Sequence, residues 1–452
     1  MHRIRPFALK TLSAFFLVLS PMAKAETRGL EAIETIVVLY LENHSFDNLY
    51  GFYPGAEGIA SAPRERVIQV DDKGHPYKTL PRVMNTHKKP HQPDERFPEH
   101  LPNRPFSIEK YVSASEKTGD LTHRFYQHQL QINGGKMNRF AGVSNARGLV
   151  MGYYDGEKLP LWKYARRYTL ADHFFAGAFG GSFLNHMWLT CVCTPHQPHP
   201  PANNTIELNA KGDVVKDGAF TADGYAVNMV FTASAPRSPK AENPDNLLDA
   251  QTQPTIGDRL SEKGIDWAWY AGGWRDALEG HPDPTYQFHH QPYVYFARYG
   301  EGTEAREKHL KDGADFEKAI DAGTLPAVSF YKPLGRLNEH PGDTVLLEGE
   351  EHIAALLGKL EASPQWPHML VIVTYDEHGG YWDHVPPPKG DRFGPGSRVP
   401  ALIISPFSRG GRVDKTVYDV TSILKLIEER FGIAPLGERD ASANSLSKAL
   451  KF

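Results

Sequence analysis

The chain has 452 residues, a formal net charge of −4 and 23% charged residues, a balance typical of globular proteins rather than of disordered chains. No long basic run occurs, so the sequence argues against a nucleic acid partner. The length suits one large α/β domain with insertions, or two smaller domains.

Residues 1–25 have the features of an export signal. Three basic residues within the first ten precede an apolar stretch at 12–19, and Ala23-Lys24-Ala25 matches the small-x-small pattern of a cleavage site. A membrane anchor is the alternative, but the apolar stretch is too short to span a bilayer comfortably. We therefore expect cleavage of 1–25, one domain over 26–452 in the periplasm or outside the cell, and no transmembrane segment.

Short apolar runs alternate with helical patterns along the rest of the chain. Two of these patterns predict helices over 345–360 and 420–431, and the second stops at Gly432, a residue typical of helix C-termini. Alternating strands and helices predict an α/β fold with a mainly parallel sheet. The predicted buried strands are 36–41, 266–270, 327–331, 370–375 and 400–405.

Two polar stretches do not fit this alternation. Residues 55–119 are rich in Pro and His, and residues 195–249 are rich in Pro, Asn and Asp. We interpret both as long surface insertions, which commonly form the walls of a site above the strand ends.

Cys191 and Cys193 are the two cysteines of the chain. A disulfide between them would close a very small, strained ring, so we expect two free, buried thiols. A redox role is the alternative. Core size rather than disulfide bonding should then stabilise the fold.

Acidic and amide side chains follow two of the predicted strands. Glu42 and Asn43 come directly after the first strand, and Asp376 and Glu377 come after the fourth. Ligands of open α/β sheets bind at the carboxyl ends of strands, and carboxylate and amide oxygens suit hard or borderline metal ions. Adjacent carboxylates also repel each other unless a cation lies between them or one is protonated. These residues predict a divalent metal site, with polar capping of the strand ends as the alternative.

A glycine-rich turn precedes Ser182. The sequence Gly180-Gly181-Ser182 predicts a turn that opens a helix, with the serine at the helix N-terminus. Free backbone N–H groups and the helix dipole there favour an alkoxide and a bound phosphate, and a nearby metal ion would favour the alkoxide further. Ser182 is therefore the candidate nucleophile, with a helix N-cap as the alternative.

Histidine is abundant, with 21 in the chain. Imidazole can protonate a leaving group or stabilise phosphoryl oxygens, although any single histidine is more often structural. The candidates for such a role are His123, His289, His290, His340 and His384.

These motifs together resemble the bacterial phosphoesterase family that includes respiratory-burst-inhibiting acid phosphatases and non-haemolytic phospholipases C. The resemblance runs in the family's order through nearly the whole chain after residue 25. The resembling segments are 36–51, 130–140, 178–186, 288–296, 339–342 and 374–388.

The resemblance implies an alkaline-phosphatase-like core, in which a mainly parallel sheet is the middle of three α/β/α layers. It also implies one divalent metal site that includes the nucleophile, with the identity of the metal left open. The implied metal ligands are Glu42, Asn43, Ser182, Asp376 and Glu377.

The histidines carry a second part of the resemblance. His378 departs from the family, in which Asn usually follows the Asp-Glu pair, and the resemblance gives no role for His384. The histidines that match positions around the phosphate are His123, His289, His290 and His340.

The nucleophile segment favours one branch of the family. The phospholipase-like members resemble one another in a Gly-Pro-Thr segment, whereas this chain has Ser182 after two glycines. Those members also tend to carry C-terminal β domains, which we do not expect here because the chain ends about twenty residues past the last predicted helix. We therefore expect an acid phosphatase acting on small phosphate monoesters. A phospholipase C acting on phospholipid head groups is the alternative, and a non-catalytic exported binding protein is the third.

Overall fold

An eight-stranded sheet runs through the computed structural model of the protein, which describes residues 29–238, 241, 243, 247–408 and 410–452. The expected cleavage of 1–25 falls outside the described residues. The strands are β1 (Thr35–Leu41), β2 (Thr169–Ala171), β3 (Trp267–Ala271), β4 (Leu310–Asp312), β5 (Val328–Lys332), β6 (Met369–Tyr375), β7 (Ala401–Ile404) and β8 (Arg412–Asp414). Their order across the sheet is β4-β3-β5-β1-β6-β7-β2-β8.

The sheet is mainly parallel, as the sequence predicts. β1 pairs in parallel with β5 and β6, and β3 pairs in parallel with β4 and β5. β7 runs antiparallel to both of its neighbours, β6 and β2, whereas β8 is parallel to β2. The five predicted strands are confirmed as β1, β3, β5, β6 and β7. The three-residue strands β2, β4 and β8 were not predicted, because so few residues show no hydrophobic period.

Helices cover the sheet. Every residue of β1 and β6 is buried, so both faces of the sheet are covered at its centre. The α-helices of the described residues are α1 (Phe46–Tyr50), α2 (Arg64–Val67), α3 (Phe125–Ile132), α4 (Phe140–Val143), α5 (Pro160–Arg167), α6 (Ser182–Cys191), α7 (Ile256–Glu262), α8 (Trp274–Leu278), α9 (Glu304–His309), α10 (Gly313–Ala322), α11 (Leu346–Ala362), α12 (Thr421–Phe431) and α13 (Glu438–Ser442). The expected α/β architecture around a mainly parallel sheet is therefore confirmed.

Helices α11 and α12 confirm the two helix predictions. In α11 the buried residues Ile353, Leu356, Leu357 and Leu360 recur at three-to-four spacing and form one face. α12 ends at Phe431, and the next residue, Gly432, takes the left-handed conformation with φ of +60°. Within the described part of the chain, no helix has both the length and the apolarity that spanning a bilayer requires.

The two polar stretches contain few regular elements. The interpretation of 55–119 as a surface insertion is only partly right, because this segment also contributes to the core that packs on the sheet. Its buried core residues include Leu80, Val83, Phe97, Leu101, Ile108 and Val112.

The short two-stranded pairs of the described residues are Met84–Asn85 with Gln92–Pro93, Phe106–Ser107 with Gly152–Tyr153, Phe174–Phe175 with Tyr418–Asp419, Glu207–Leu208 with Val214–Lys216, and Phe231–Thr232 with Leu247–Leu248.

Cys191 and Cys193 form a disulfide, so the expectation of two free thiols was wrong. Helix α6 ends at Cys191, and Val192 then takes a left-handed backbone conformation with φ of +51°. This turn reverses the chain and leaves the two cysteine Cα atoms 5.1 Å apart, which is within the usual range for a disulfide. The turn after the helix therefore makes possible a bond that the sequence spacing argued against.

Candidate active site

The carboxyl ends of β1 and β6 bring the predicted metal-binding pairs together. The two strands are in parallel register, with Leu41 opposite Tyr375, so the chains that follow them leave the sheet at the same level. Asn43 takes a left-handed conformation with φ of +64°, and its backbone N–H donates to Asp376 Oδ1 at 3.1 Å. The left-handed turn thus holds Asn43 and the adjacent Glu42 against the residues after β6.

Ser182 is the first residue of α6 and faces these strand ends. Gly181 is the N-cap residue, so the alternative role of Ser182 as a helix cap was wrong. The Ser182 hydroxyl lies 3.0 Å from Glu42 Oε2 and 3.2 Å from Asn43 Oδ1, and both oxygens can accept its hydrogen bond. Gly180 has φ of +90°, and a Cβ there would lie 2.7 Å from the backbone N of Phe125, so the turn before the helix requires glycine.

Three carboxyl groups that follow β1 and β6 are buried: Glu42, Asp376 and Glu377. Burial and the charge of Glu42 raise the pKa of Asp376 to about 6, and burial and Asp376 raise the pKa of Glu377 well above its usual value. Burial also opposes ionisation of Glu42, but the charges of Lys332 and His290 outweigh it and hold the pKa of Glu42 well below its usual value. The cluster therefore favours the binding of additional positive charge.

The oxygen atoms of this cluster fit a divalent metal ion. Asp376 Oδ2 and Glu377 Oε1 are buried and accept no hydrogen bond from the described residues, whereas Glu42 Oε1 lies 2.5 Å from His290 Nε2. Buried oxygens of this kind destabilise a protein unless a cation or a donor satisfies them. Together with the side-chain oxygens of Asn43 and Ser182, they form the oxygen-rich donor set that Mg²⁺, Ca²⁺ and Mn²⁺ prefer.

Lys332 is a member of the cluster that the sequence analysis missed. It is the last residue of β5 and is fully buried. Its Nζ lies 2.7 Å from Glu42 Oε1 and 3.5 Å from Asp376 Oδ2, and it donates to the carbonyl oxygen of Leu41 at 3.2 Å. The predicted strand stopped one residue earlier, and a lysine after a strand is usually exposed. Lys332 could have been identified from its place at a strand end, because the other central strands of the sheet are followed by acidic residues.

The histidines that match the family open onto one cavity with Ser182. The cavity has a volume of about 220 Å³. The rings of His289 and His290 lie 4.7 Å apart, and those of His123 and His340 lie 5.9 Å apart. The structure thus brings all four imidazoles together with Ser182 around one cavity.

His340 differs from the other three in its electrostatics. Burial disfavours its charged form, but the negative charges of Asp120, Glu42 and Asp343 outweigh burial and raise the pKa of His340. Burial lowers the pKa of the other three, which are His123, His289 and His290. His340 is therefore the histidine of this cavity that most readily carries a second proton.

His378 does not line the cavity but contacts the turn before Ser182 through His128. Its ring stacks on that of His128, with the ring centroids 3.7 Å apart. His128 Nδ1 in turn accepts a hydrogen bond from the backbone N–H of Gly180 at 3.0 Å. The histidine that replaces the usual asparagine therefore packs against the residue that holds the turn before Ser182.

His384 belongs to a separate buried group of charges and does not line the cavity. Its Nδ1 lies 2.6 Å from Asp47 Oδ2. Arg398 contacts Asp47 Oδ1 at 3.2 Å and Asp383 Oδ1 at 2.9 Å. These paired charges hold the segment that follows β6 against α1, which gives His384 a structural role.

Comparisons with known proteins show what this chain is similar to. The chain matches the Phosphoesterase family over residues 33–434. The non-hemolytic phospholipase C of Pseudomonas aeruginosa is 24% identical over 445 residues, which cover 90% of this chain and 55% of that relative, so the chain spans about half of the relative's length. Phospholipase C A of Mycobacterium tuberculosis is 25% identical over 473 residues, covering 94% of this chain and 78% of that relative. Among solved structures, a protein in the alkaline phosphatase superfamily from Vibrio parahaemolyticus has 14% identity and a TM-score of 0.34, with 74% of each chain covered.

Proposed function

The chain belongs to the Phosphoesterase family, which places it among the hydrolases of phosphoric esters, and we propose that it releases phosphate from small monoesters. The position of Ser182 carries this proposal. Its hydroxyl lies at the start of α6, 3.0 Å from Glu42 Oε2, and opens onto the histidine-lined cavity. A hydroxyl with acceptors in place at a helix N-terminus is suited to attack on phosphorus.

Ser182 is the proposed nucleophile. Glu42 Oε2 and Asn43 Oδ1 orient its oxygen, and Glu42 Oε2 is the nearest acceptor for its proton. Attack forms the Oγ–P bond while the ester P–O bond breaks, which leaves a phosphoserine; water then cleaves the Oγ–P bond and phosphate leaves. A divalent metal ion held by Glu42, Asn43, Asp376 and Glu377 would stabilise the negative charge of the attacking and phosphoryl oxygens.

His340 is the proposed proton donor to the leaving alcohol. Asp120 and Asp343 favour its charged form, and the ring opens onto the cavity that contains Ser182.

His289 is the proposed hydrogen-bond donor to the phosphoryl oxygens, since neutral imidazole still has one N–H. The N–H of neutral His123 is used in the hydrogen bond from Nδ1 to the carbonyl oxygen of Leu121, and His290 Nε2 lies 2.5 Å from Glu42 Oε1 with its N–H facing the carboxylate. His123 and His290 are therefore proposed to shape the phosphate pocket rather than to donate to the phosphoryl oxygens.

A comparison of substrates tests this function. The purified protein is assayed with nitrophenyl phosphate, a monoester, and with phosphatidylcholine, a diester, each before and after treatment with a chelator. We expect kcat/KM for the monoester to exceed that for the diester at least about tenfold, and we expect the chelator to abolish turnover. Ser182→Ala is the matched control that assigns the turnover to this cavity. If metal-loaded protein hydrolyses neither ester, the non-catalytic binding protein becomes the better reading.

Phosphodiester hydrolysis of the phospholipase C type is the second candidate function. The names of the relatives favour it, because the Pseudomonas and Mycobacterium proteins are both phospholipases C. The same serine and acidic cluster could serve either ester, since both reactions develop charge on phosphoryl oxygens. Faster turnover of phosphatidylcholine than of the monoester would decide for this candidate.

A further inference from the structure

The acidic cluster beside Ser182 has two sides. On the first, Glu42 Oε2 and Asn43 Oδ1 face the serine hydroxyl. On the second, Glu42 Oε1 and Asp376 Oδ2 face the ammonium group of Lys332 at 2.7 and 3.5 Å. Glu42 Oε1 also lies 2.5 Å from His290 Nε2, so the lysine and the histidine both contact this oxygen.

Two imidazole rings complete the second side. The rings of His186 and His290 stack with centroids 5.4 Å apart, and one nitrogen of each lies within 4.8 Å of the other and of a Glu42 oxygen. His186 Nδ1 donates to the carbonyl oxygen of Ser182 at 2.7 Å, so Nε2 carries a lone pair, and this buried atom has no hydrogen-bond partner among the described residues. Imidazole nitrogens together with carboxylate oxygens are a common ligand set for Zn²⁺.

The ammonium of Lys332 already lies among these groups. It is fully buried, donates to the carbonyl oxygen of Leu41, and lies 5.2 Å from the centre of the Tyr40 ring, so it is held from several directions. Its positive charge faces the carboxylates of Glu42 and Asp376 at the place where a second cation would lie.

We propose that Glu42, Asp376, His186 and His290 form a second cation position, which the Lys332 ammonium occupies, and that Lys332 thereby limits the active site to one divalent metal ion. The proposal rests on the proposed function, because it requires the first metal ion beside Ser182. Lys332 does not line the substrate cavity, so it is a positioning residue that acts through Glu42 and Asp376.

Metal stoichiometry in the full-length protein tests the proposal. Wild type and Lys332→Met are incubated with excess Zn²⁺, freed of unbound metal and analysed for zinc per chain, and binding isotherms are measured separately. We expect about one Zn²⁺ ion in wild type and about two in Lys332→Met, because the neutral side chain exposes the second ligand set. Lys332→Arg, which keeps the charge, and Lys311→Met, a matched substitution on β4, should both bind about one.

A double variant identifies the ligands. Lys332→Met combined with His186→Ala should bind about one Zn²⁺ ion again, because a ligand of the second position is gone. If Lys332→Met is unstable, added Zn²⁺ should raise its melting temperature more than that of wild type, and instability that Zn²⁺ does not relieve overturns the proposal. If wild type and Lys332→Met both bind a single ion, the proposed second cation position is wrong, but the proposed metal site beside Ser182 is unaffected. Wild type that binds neither Zn²⁺ nor Mg²⁺, Ca²⁺ or Mn²⁺ overturns the proposed metal site and this inference with it.

Discussion

At the scale of single residues, a substitution at Ser182 tests the effect on catalysis separately from the effect on stability. Ser182→Ala removes the proposed nucleophile and should lower the turnover of nitrophenyl phosphate by more than about 10³-fold. The hydrogen bonds that it loses are worth only about 1 kcal/mol of stability, so the melting temperature should change little. Turnover and thermal unfolding are measured on the same preparation. A variant that hydrolyses the ester at nearly the normal rate would mean that water, not Ser182, attacks phosphorus.

The raised pKa of His340 gives the reaction a pH dependence. Asp120, Glu42 and Asp343 favour the imidazolium, so His340 should donate its proton at acidic pH and lose this ability as the pH rises through a value above 6.5. We expect kcat/KM to fall across that pH range in wild type. In His340→Asn, we expect this fall to be absent from the pH profile of kcat/KM.

The leaving group provides the control for this assignment. An alkyl phosphate needs a proton on its departing oxygen, whereas nitrophenolate leaves more easily without one. His340→Asn should therefore slow an alkyl phosphate more than nitrophenyl phosphate. Equal slowing of the two esters would instead indicate that His340 only binds the phosphate.

At the scale of elements, the parallel register of β1 and β6 makes their ends a single ligand cluster. Asp376→Asn keeps the shape of the side chain after β6 but removes its charge, so the divalent metal and the activity should both be lost. The fold should persist, because the neutral amide also relieves repulsion from Glu42 and Glu377. Metal analysis and circular dichroism check the two parts. Asp72→Asn, at an exposed carboxylate outside the cavity, is the control, and full metal content in Asp376→Asn would contradict the ligand assignment.

The elements also show what the sequence can predict. β1 and β6 are almost entirely apolar, so both the strands and the polar residues after them can be predicted from the sequence. Lys332 could not be placed in the same way, because its burial depends on the order of strands across the sheet rather than on its neighbours in the chain. The Cys191–Cys193 bond was missed for a related reason, since the left-handed conformation of Val192 is unusual for a β-branched residue and has no local signal.

At the scale of the whole molecule, we propose that the protein acts outside the cytoplasm. The motivation is the basic, apolar and small-x-small order of residues 1–25, and the disulfide at the end of α6 is typical of an oxidising compartment. Mass spectrometry of the exported protein should show a chain that begins near Glu26. A chain expressed from residue 26 should stay in the cytoplasm and is the control. Exported protein that still contains Met1 would contradict the cleavage.

The contribution of segment 55–119 to the core limits how this segment can change during evolution. A loop that only covers a surface can gain or lose residues from one descendant to the next, and the exposed hairpin at 207–216 has that freedom. The buried residues of 55–119 cannot vary in this way, because they fill the same close-packed interior as the sheet. They include Leu80, Val83, Phe97 and Leu101. Natural variation should therefore be free to change the length of the hairpin, while the longer segment is inherited with the sheet as one unit.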